Sequence, residues 1–97
     1  MNENEFVIFA ELSREHFDEI LSRLLQHFRN IQFGSQGDDW IWIYVDDEKI
    51  EIDSFFSIEL EVKGRRRQAR AATSILELLD PAWVIKRFQP FKKDHTH

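Results

Sequence analysis

The hydrophobic and polar positions between residues 40 and 63 predict three strands of one sheet. The run Trp40-Ile41-Trp42-Ile43-Tyr44-Val45 is apolar throughout, and because side chains alternate between the two faces of a strand, one of its faces is wholly aromatic. Residues 49–53 and 57–63 instead alternate between aliphatic and polar or charged side chains, as strands buried on one side do. The predicted sheet therefore has an aliphatic face and a face of Trp, Tyr and carboxylates.

The segment before this run predicts a central strand followed by an amphipathic helix. Phe6 to Ala10 is apolar at both parities, which suits a strand covered on both sides. Ser13 is a suitable N-cap and apolar residues recur after it at helical spacing, so a helix is expected from about Ser13 to Arg29. Ile31 to Phe33 could form a short strand with its turn at residues 34–39.

The turns determine which residues lie opposite one another in the sheet. Asp46-Asp47-Glu48 is expected as the turn after the aromatic strand. A tight pairing there would set Tyr44 opposite Glu51 and Trp42 opposite Asp53. A bend is expected at residues 54–56, and a three-residue hairpin at that point would set Glu51 opposite Glu59.

The C-terminal third predicts a second helix, with two alternatives for the element that follows it. The helix is expected from about Arg65 to Leu79, where Asp80-Pro81 ends it. Residues 82–88 then form a short third helix or a closing strand; Asp80-Pro81, as N-cap and first helical residue, slightly favours the helix. The polar residues 92–97 are expected to be a disordered tail.

The predicted order, β-α-β-β-β-α with a short C-terminal helix or strand, indicates a single α+β domain over residues 1–91. Two amphipathic helices and one antiparallel sheet are typical of a two-layer sandwich. Both helices would cover the aliphatic face of the sheet. The aromatic and acidic face would then be left open.

Composition narrows the function classes. The chain of 97 residues has no cysteine, which excludes disulfides, a thiolate nucleophile and cysteine-based metal sites. Its acidic start lacks the pattern of a secretory signal, and no apolar run approaches the ~20 residues of a membrane span. A cytoplasmic protein is therefore expected. Its net charge of -5 opposes general affinity for nucleic acid or anionic membranes.

The open face is the candidate binding site. Aromatic side chains would supply contact area, and carboxylates would select a basic partner. Its candidate binding residues are Trp40, Trp42, Tyr44, Glu51, Asp53, Glu59 and Glu61. The competing interpretation is that the aromatics are covered by the protein's own segment from Trp83 to Phe91, or by the mate in a homodimer. Nucleic acid is not expected here, because the carboxylates would repel phosphates.

Glu61-Val62-Lys63 ends a predicted strand just before the second helix. This segment resembles the Glu-x-Lys half-motif of the metal-dependent nucleases that include restriction enzymes and archaeal junction resolvases. The resemblance implies that Glu61 and an upstream aspartate, Asp53 or else Asp46 or Asp47, hold Mg²⁺ while Lys63 assists the attacking water. Strand alternation also explains Glu61 and Lys63 without a metal, so the nuclease is the alternative hypothesis.

Taken whole, the chain resembles a small bacterial family of about a hundred residues known only as a domain of unknown function. Gly37-Asp38-Asp39-Trp40 and Glu61-Val62-Lys63 carry that resemblance, which implies no activity. The basic run Arg65 to Arg67 is expected to answer strand carboxylates or to stay solvated. The first hypothesis is thus a non-enzymatic module without cofactor or metal, which binds a protein partner or a second copy of itself through the open face.

Overall fold

The computed structural model of the chain describes residues 2–95. Short 3₁₀ turns, Arg14–His16 and Arg66–Gln68, lead into the two helices. The strands and helices, in chain order, are β1 (Phe6–Leu12), α1 (Phe17–Leu25), β2 (Ile31–Gly34), β3 (Trp40–Val45), β4 (Glu48–Asp53), β5 (Leu60–Arg65), α2 (Ala69–Glu77) and β6 (Val84–Lys93).

All six strands form one antiparallel sheet in the order β2-β3-β4-β5-β1-β6. The fold is α+β, as predicted. Strand β1 lies inside the sheet, and Val7, Ile8, Phe9 and Ala10 are all buried, so both of its faces are covered, as its apolar parities predicted. The short strand expected at Ile31 to Phe33 is present as β2, at one edge of the sheet.

Both helices cover the aliphatic face of the sheet. Alternate residues of the strands pack with the buried stripes of α1 and α2 in one hydrophobic cluster. Its fully buried members include Ile41, Ile43, Ile50, Ile52, Leu60 and Val62 from the sheet, with Ile20, Leu24 and Ile75 from the helices. Burying this apolar area is the main stabilising contribution to the fold. It also leaves the opposite side of the sheet without a helical layer.

The register differs from the expected pairing of β3 with β4. The turn consists of Asp46 and Asp47 alone, both with positive φ (51° and 65°), and Glu48 already pairs with Val45. Two left-handed residues are what a two-residue hairpin with a type I′ turn requires. The opposite pairs are therefore Trp40 with Asp53, Trp42 with Glu51 and Tyr44 with Lys49.

The expected pairing of Glu51 with Glu59 was also wrong. A bend is present, but the connection spans residues 54–59, and Glu51 lies opposite Lys63. Asp53 is instead opposite Glu61. The like-charged pair predicted for the open face exists, but between different residues.

Helix α1 ends at Leu25 rather than Arg29, and it does not use its predicted cap. Ser13 has the extended backbone of an N-cap residue, but its side chain makes no capping hydrogen bond. The Arg14 N–H donates instead to Oε1 of Glu59, at 3.0 Å, in the β4–β5 connection. A carboxylate at that position stabilises the start of a helix.

The preference for a third helix at residues 82–88 was wrong, and the alternative of a closing strand is correct. Pro81–Trp83 is a 3₁₀ turn and β6 follows, pairing with β1. The physical reason is that β1 needs a second neighbour for its backbone groups. Strand β6 continues through Lys92 and Lys93 into the segment expected to be a tail; the last two residues of that segment, Thr96 and His97, lie outside the described residues.

No helix within residues 2–95 combines the length and apolar character needed to cross a membrane.

Candidate binding face

We use "open face" for the sheet surface turned away from the two helices. Because directly opposed residues share a face, the strand register orders its side chains in rows. One row joins Trp42, Glu51, Lys63 and Ile8. The next joins Trp40, Asp53, Glu61 and Glu11. With Tyr44, which lies on the same face opposite Lys49, the register brings together six of the seven predicted binding residues.

Glu59 is the seventh, and it does not lie on the open face. It belongs to the β4–β5 connection, where its carboxylate accepts the hydrogen bond from the Arg14 N–H. Arg14 Nε also lies 2.8 Å from Asp39 Oδ2, so its guanidinium joins this end of the molecule to the turn before β3. The prediction failed because alternation was extended through a segment that is not a strand.

The centre of the open face is a buried ion pair. Lys63 Nζ lies 2.9 Å from Oδ1 of Asp53, and their side chains are 3% and 0% exposed. The Phe55 N–H donates to the same oxygen at 3.2 Å. The rings of Phe55 and Phe56 lie 5.9 and 5.3 Å from the ammonium group, so two aromatics from the bend cover this pair.

Residues of the C-terminal segment cover the neighbouring carboxylate. His95 Nε2 lies 2.8 Å from Oε2 of Glu61, which is buried. The His95 ring also stacks on Phe56, with 5.4 Å between the ring centroids. Asp94, beside it, is buried as well. Asp53 and Glu61 are therefore internal groups rather than surface acids.

Two buried carboxylate oxygens, Asp53 Oδ2 and Glu61 Oε1, have no hydrogen-bond partner among the described residues. Burial raises the pKa of Asp53; its hydrogen bond with Lys63 opposes that change and the charge of Glu61 adds to it. Two carboxylates that are buried side by side, as those of Asp53 and Glu61 are, lower the stability of the fold unless a cation compensates their charge. Lys63 is that cation.

The aromatic part of the open face is more accessible. Trp40, Trp42 and Tyr44 are half-buried. The rings of Trp40 and Trp42 contact each other, with 4.6 Å between their centroids. Trp40 also packs over Gly34, where a Cβ would lie only 2.6 Å from Trp40 Nε1. The absence of a side chain at Gly34 thus allows the indole to lie flat on the sheet.

The segment from Trp83 to Phe91 does not cover these aromatics. Strands β4, β5 and β1 separate β3 from β6. Trp83 stacks on His16, and Phe91 contacts Phe9 edge-on in the core. Residues 83–91 are therefore not the intramolecular cover that was considered for Trp40, Trp42 and Tyr44.

Lys49 is a residue of this face that the sequence did not single out. Its Nζ lies 3.9 Å from the centroid of the Trp42 ring and 3.9 Å from Oε2 of Glu51. Burial raises the pKa of Glu51, and the positive charges of Lys49 and Lys63 oppose part of that increase. Trp42 Nε1 is buried with no partner among the described residues. Trp42 and Glu51 together thus form a site that holds a cation.

The residues of the nuclease hypothesis are brought together in part. Asp53 and Glu61 are directly opposite, and Lys63 contacts Asp53. Asp46 and Asp47 form the turn at the other end of β4. Across residues 2–95, no three His, Asp or Glu side chains are grouped as metal ligands would be. The cation that contacts Asp53 in the structure is the ammonium of Lys63.

The basic run before α2 binds the start of the chain. Arg66 pairs with Glu5 at 2.6 Å, and Arg67 with Glu48. The Arg66 N–H donates to the Glu5 carbonyl, and the Arg67 N–H to that of Glu3. Glu48 is a strand carboxylate, as expected, but the other acidic partners of these two arginines, Glu3 and Glu5, lie in the N-terminal segment, for which the sequence held no signal.

Comparison of the chain with protein-family models, with curated proteins and with solved structures found no match.

Proposed function

We propose that this protein is a small non-enzymatic binding module that holds basic side chains of a protein partner on its open face. The observation that carries the proposal is the position of Lys49. Its ammonium lies 3.9 Å above the Trp42 ring and equally far from the Glu51 carboxylate. The protein fills this site with its own cation, which supports the idea that a partner's cation can take its place.

The chemistry of the site suits arginine or lysine. A cation over an indole face gains about 0.5–2 kcal/mol, depending on how dry the contact is. The Glu51 carboxylate adds charge complementarity, which selects basic partners. Trp40 and Tyr44 flank the site and supply apolar area for the rest of the contact. Aromatic anchors of this kind often dominate the energy of protein interfaces.

The buried acids have a different role in this proposal. Asp53 and Glu61 are 0% and 2% exposed, so a partner cannot reach them without rearrangement. With Lys63 they fix the positions of β4 and β5 beneath the site. The binding residues are thereby narrowed to Trp40, Trp42, Tyr44 and Glu51. We place the module in the cytoplasm of a bacterium, a setting that its lack of cysteine fits.

Two substitutions of opposite effect test the proposal. Lys49→Gln removes the internal competitor, so we expect binding of an arginine-rich peptide to tighten by about two- to thirtyfold. Glu51→Gln removes the carboxylate and should weaken the same binding. Titration followed by tryptophan emission measures both. Glu77→Gln, on an exposed position of α2, is the matched control and should change nothing.

The same variants can be used to capture partners from source cells. A protein retained by the wild type, retained better by Lys49→Gln and lost with Glu51→Gln would fit the proposal. Equal behaviour of the two variants toward peptide and captured protein would contradict it. Capture of the chain itself, lost with the same Glu51 variant, would identify a second copy as the occupant of the open face.

The pairing of Asp53 with Glu61 beside Lys63 favours one second candidate, the Mg²⁺-dependent nuclease. It requires the cover of Phe55, Phe56 and His95 to open, because the three groups are buried. Cleavage of single-stranded, duplex or branched DNA with Mg²⁺ or Mn²⁺, lost with Glu61→Gln, would support it. Absence of cleavage, with no change in tryptophan emission on adding metal, would remove it.

A further inference from the structure

The two edges of the sheet differ in how they are protected from pairing with another strand. Strand β6 carries four exposed cations, Lys86, Arg87, Lys92 and Lys93, together with Pro90. Charged residues and proline are the devices by which edge strands avoid pairing. Strand β2, Ile31–Gly34, has neither a charge nor a proline. Its Phe33 is 50% exposed.

The backbone of β2 presents free hydrogen-bonding groups at this edge. The Tyr44 N–H donates to the carbonyl of Asn30 at 3.0 Å. Hydrogen-bonded and non-hydrogen-bonded pairs alternate along an antiparallel ladder. With the register of β2 on β3, Gln32 and Gly34 therefore bond to β3. The N–H and C=O groups of Ile31 and Phe33 are directed away from the sheet.

We propose that β2 pairs with β2 of a second copy of this chain, antiparallel about a two-fold axis at Gln32. In this register Ile31 lies opposite Phe33 of the second copy, and Phe33 opposite its Ile31. The outward N–H and C=O groups of Ile31 in each copy then face those of Phe33 in the other copy, so four backbone hydrogen bonds can form. Two six-stranded sheets become one.

The side chains fit the same register. Ile31 and Phe33 pair with Ile43 and Ile41 of β3, which places them on the helix side of the sheet. A two-fold axis perpendicular to the sheet keeps the helix sides together, so apolar residues oppose apolar residues. Beyond them Asn30 would lie opposite Gly34, and Arg29 opposite Ser35. No like charges oppose each other, although each copy carries a net charge of -5.

This self-complementarity is the reason to choose a second copy over an unrelated strand. The inference does not rest on the proposed function, since it concerns the edge and not the open face. Both open faces would lie on the same side of the joined sheet. The strands β3 of the two copies would be three strand spacings apart, about 14 Å.

Sedimentation velocity over a wide range of protein concentration tests the inference. We expect a monomer–dimer equilibrium for the wild type. Phe33→Lys should abolish it, because a charged side chain on an edge strand prevents pairing with another strand. Ile85→Lys is the matched control: Ile85 is 48% exposed on the other edge strand, and its replacement should leave the dimer intact. Circular dichroism at a concentration where the wild type is monomeric verifies that both variants fold.

A cysteine at the two-fold axis gives a second, independent readout. Directly opposed residues of a non-hydrogen-bonded pair have Cα atoms about 4.5 Å apart, within the range that a disulfide spans. The chain has no other cysteine. Gln32→Cys should therefore form a covalent dimer on mild oxidation, whereas Gln89→Cys, on β6, should not.

Three results would overturn the inference. They are a wild type that stays monomeric at every concentration, a dimer dissociated by Ile85→Lys but not by Phe33→Lys, and equal cross-linking of the two cysteine variants. A dimer that Trp42→Ala dissociates while Phe33→Lys does not would assign self-association to the open face instead. Binding of the arginine-rich peptide is measured for Phe33→Lys as well. Because this substitution changes the β2 edge and not the open face, the peptide result tests the proposed function independently of the dimer.

Discussion

Lys63 is the residue on which the interior of the open face depends. It neutralises Asp53 at 2.9 Å, while Asp53 and the opposed Glu61 both have a second buried oxygen without a partner among the described residues. Removing one member of a buried pair leaves the other charge uncompensated, which is more damaging than the pair itself is stabilising. We therefore expect the intact cluster to add little net stability, although loss of its cation alone is costly.

We expect Lys63→Met to lower the free energy of unfolding by about 3–5 kcal/mol. The substitution keeps a long unbranched side chain and removes the ammonium group that contacts Asp53. Urea denaturation measures the change. Lys86→Met is the control, because Lys86 is exposed on β6 and its loss should stay within about 0.5 kcal/mol. Equal effects of the two substitutions would show that the buried charge is unimportant.

The pH dependence of this variant follows from the direction of the Asp53 pKa. Burial raises that pKa, and the hydrogen bond with Lys63 opposes the increase, so the pKa should rise further in Lys63→Met. A carboxyl whose folded-state pKa is raised contributes stability that is present at low pH and lost as pH rises through that pKa. The variant should thus regain part of its stability on acidification, and its deficit relative to the wild type should narrow.

At the scale of elements, α1 shows how a local signal can identify a position but not its chemistry. Ser13 marks the start of the helix, yet the carboxylate that accepts from the first turn, at the Arg14 N–H, is that of Glu59, 45 residues after Arg14. Nothing in the local pattern indicates this contact, because it depends on how the β4–β5 connection folds. The same connection explains why Phe55 and Phe56 lie over Lys63 instead of in the core.

We expect Glu59→Ala to destabilise the protein by about 1 kcal/mol and Ser13→Ala to have a much smaller effect. The carboxylate is the group that accepts from the Arg14 N–H, whereas the Ser13 hydroxyl makes no capping bond. Thermal unfolding of the two variants and the wild type compares them directly. The reverse order of stabilities would restore Ser13 as the functional cap.

Elements that depend on their own residues could be predicted from the sequence, whereas elements that depend on partners distant in sequence could not. Periodicity was enough for the central strand, the two helices and the aliphatic face, since each depends on burial of its own residues. It failed at β6, where Val84 and Ile85 fit helix or strand until β1 supplies a neighbour. It also failed at the open face, where the pairing of β3 with β4 is shifted by two residues from the expected register and every opposed pair differs.

The candidate site was found in outline for the same reason. Strand parity alone placed Trp42 and Glu51 on one face. It could not show that Asp53 and Glu61 are buried, because their cover comes from Phe56, in an irregular connection, and from His95, 34 residues after Glu61 in sequence. Lys49 gained its importance only once the register set it opposite Tyr44, beside the Trp42–Glu51 pair.

At the scale of the whole molecule, the two proposed contacts should respond to salt in opposite directions. Binding of basic side chains at Glu51 and Trp42 is an attraction between opposite charges, and salt screens exposed charges over a Debye length of about 8 Å at physiological ionic strength. Pairing through β2 involves no charged residue of that strand. It brings together two molecules that each carry a net charge of -5, a repulsion that salt reduces. We therefore expect added NaCl to weaken peptide binding and to strengthen the dimer, measured by tryptophan titration and by sedimentation of the same preparation. If salt weakens both, self-association is also electrostatic and the uncharged β2 edge is not its site.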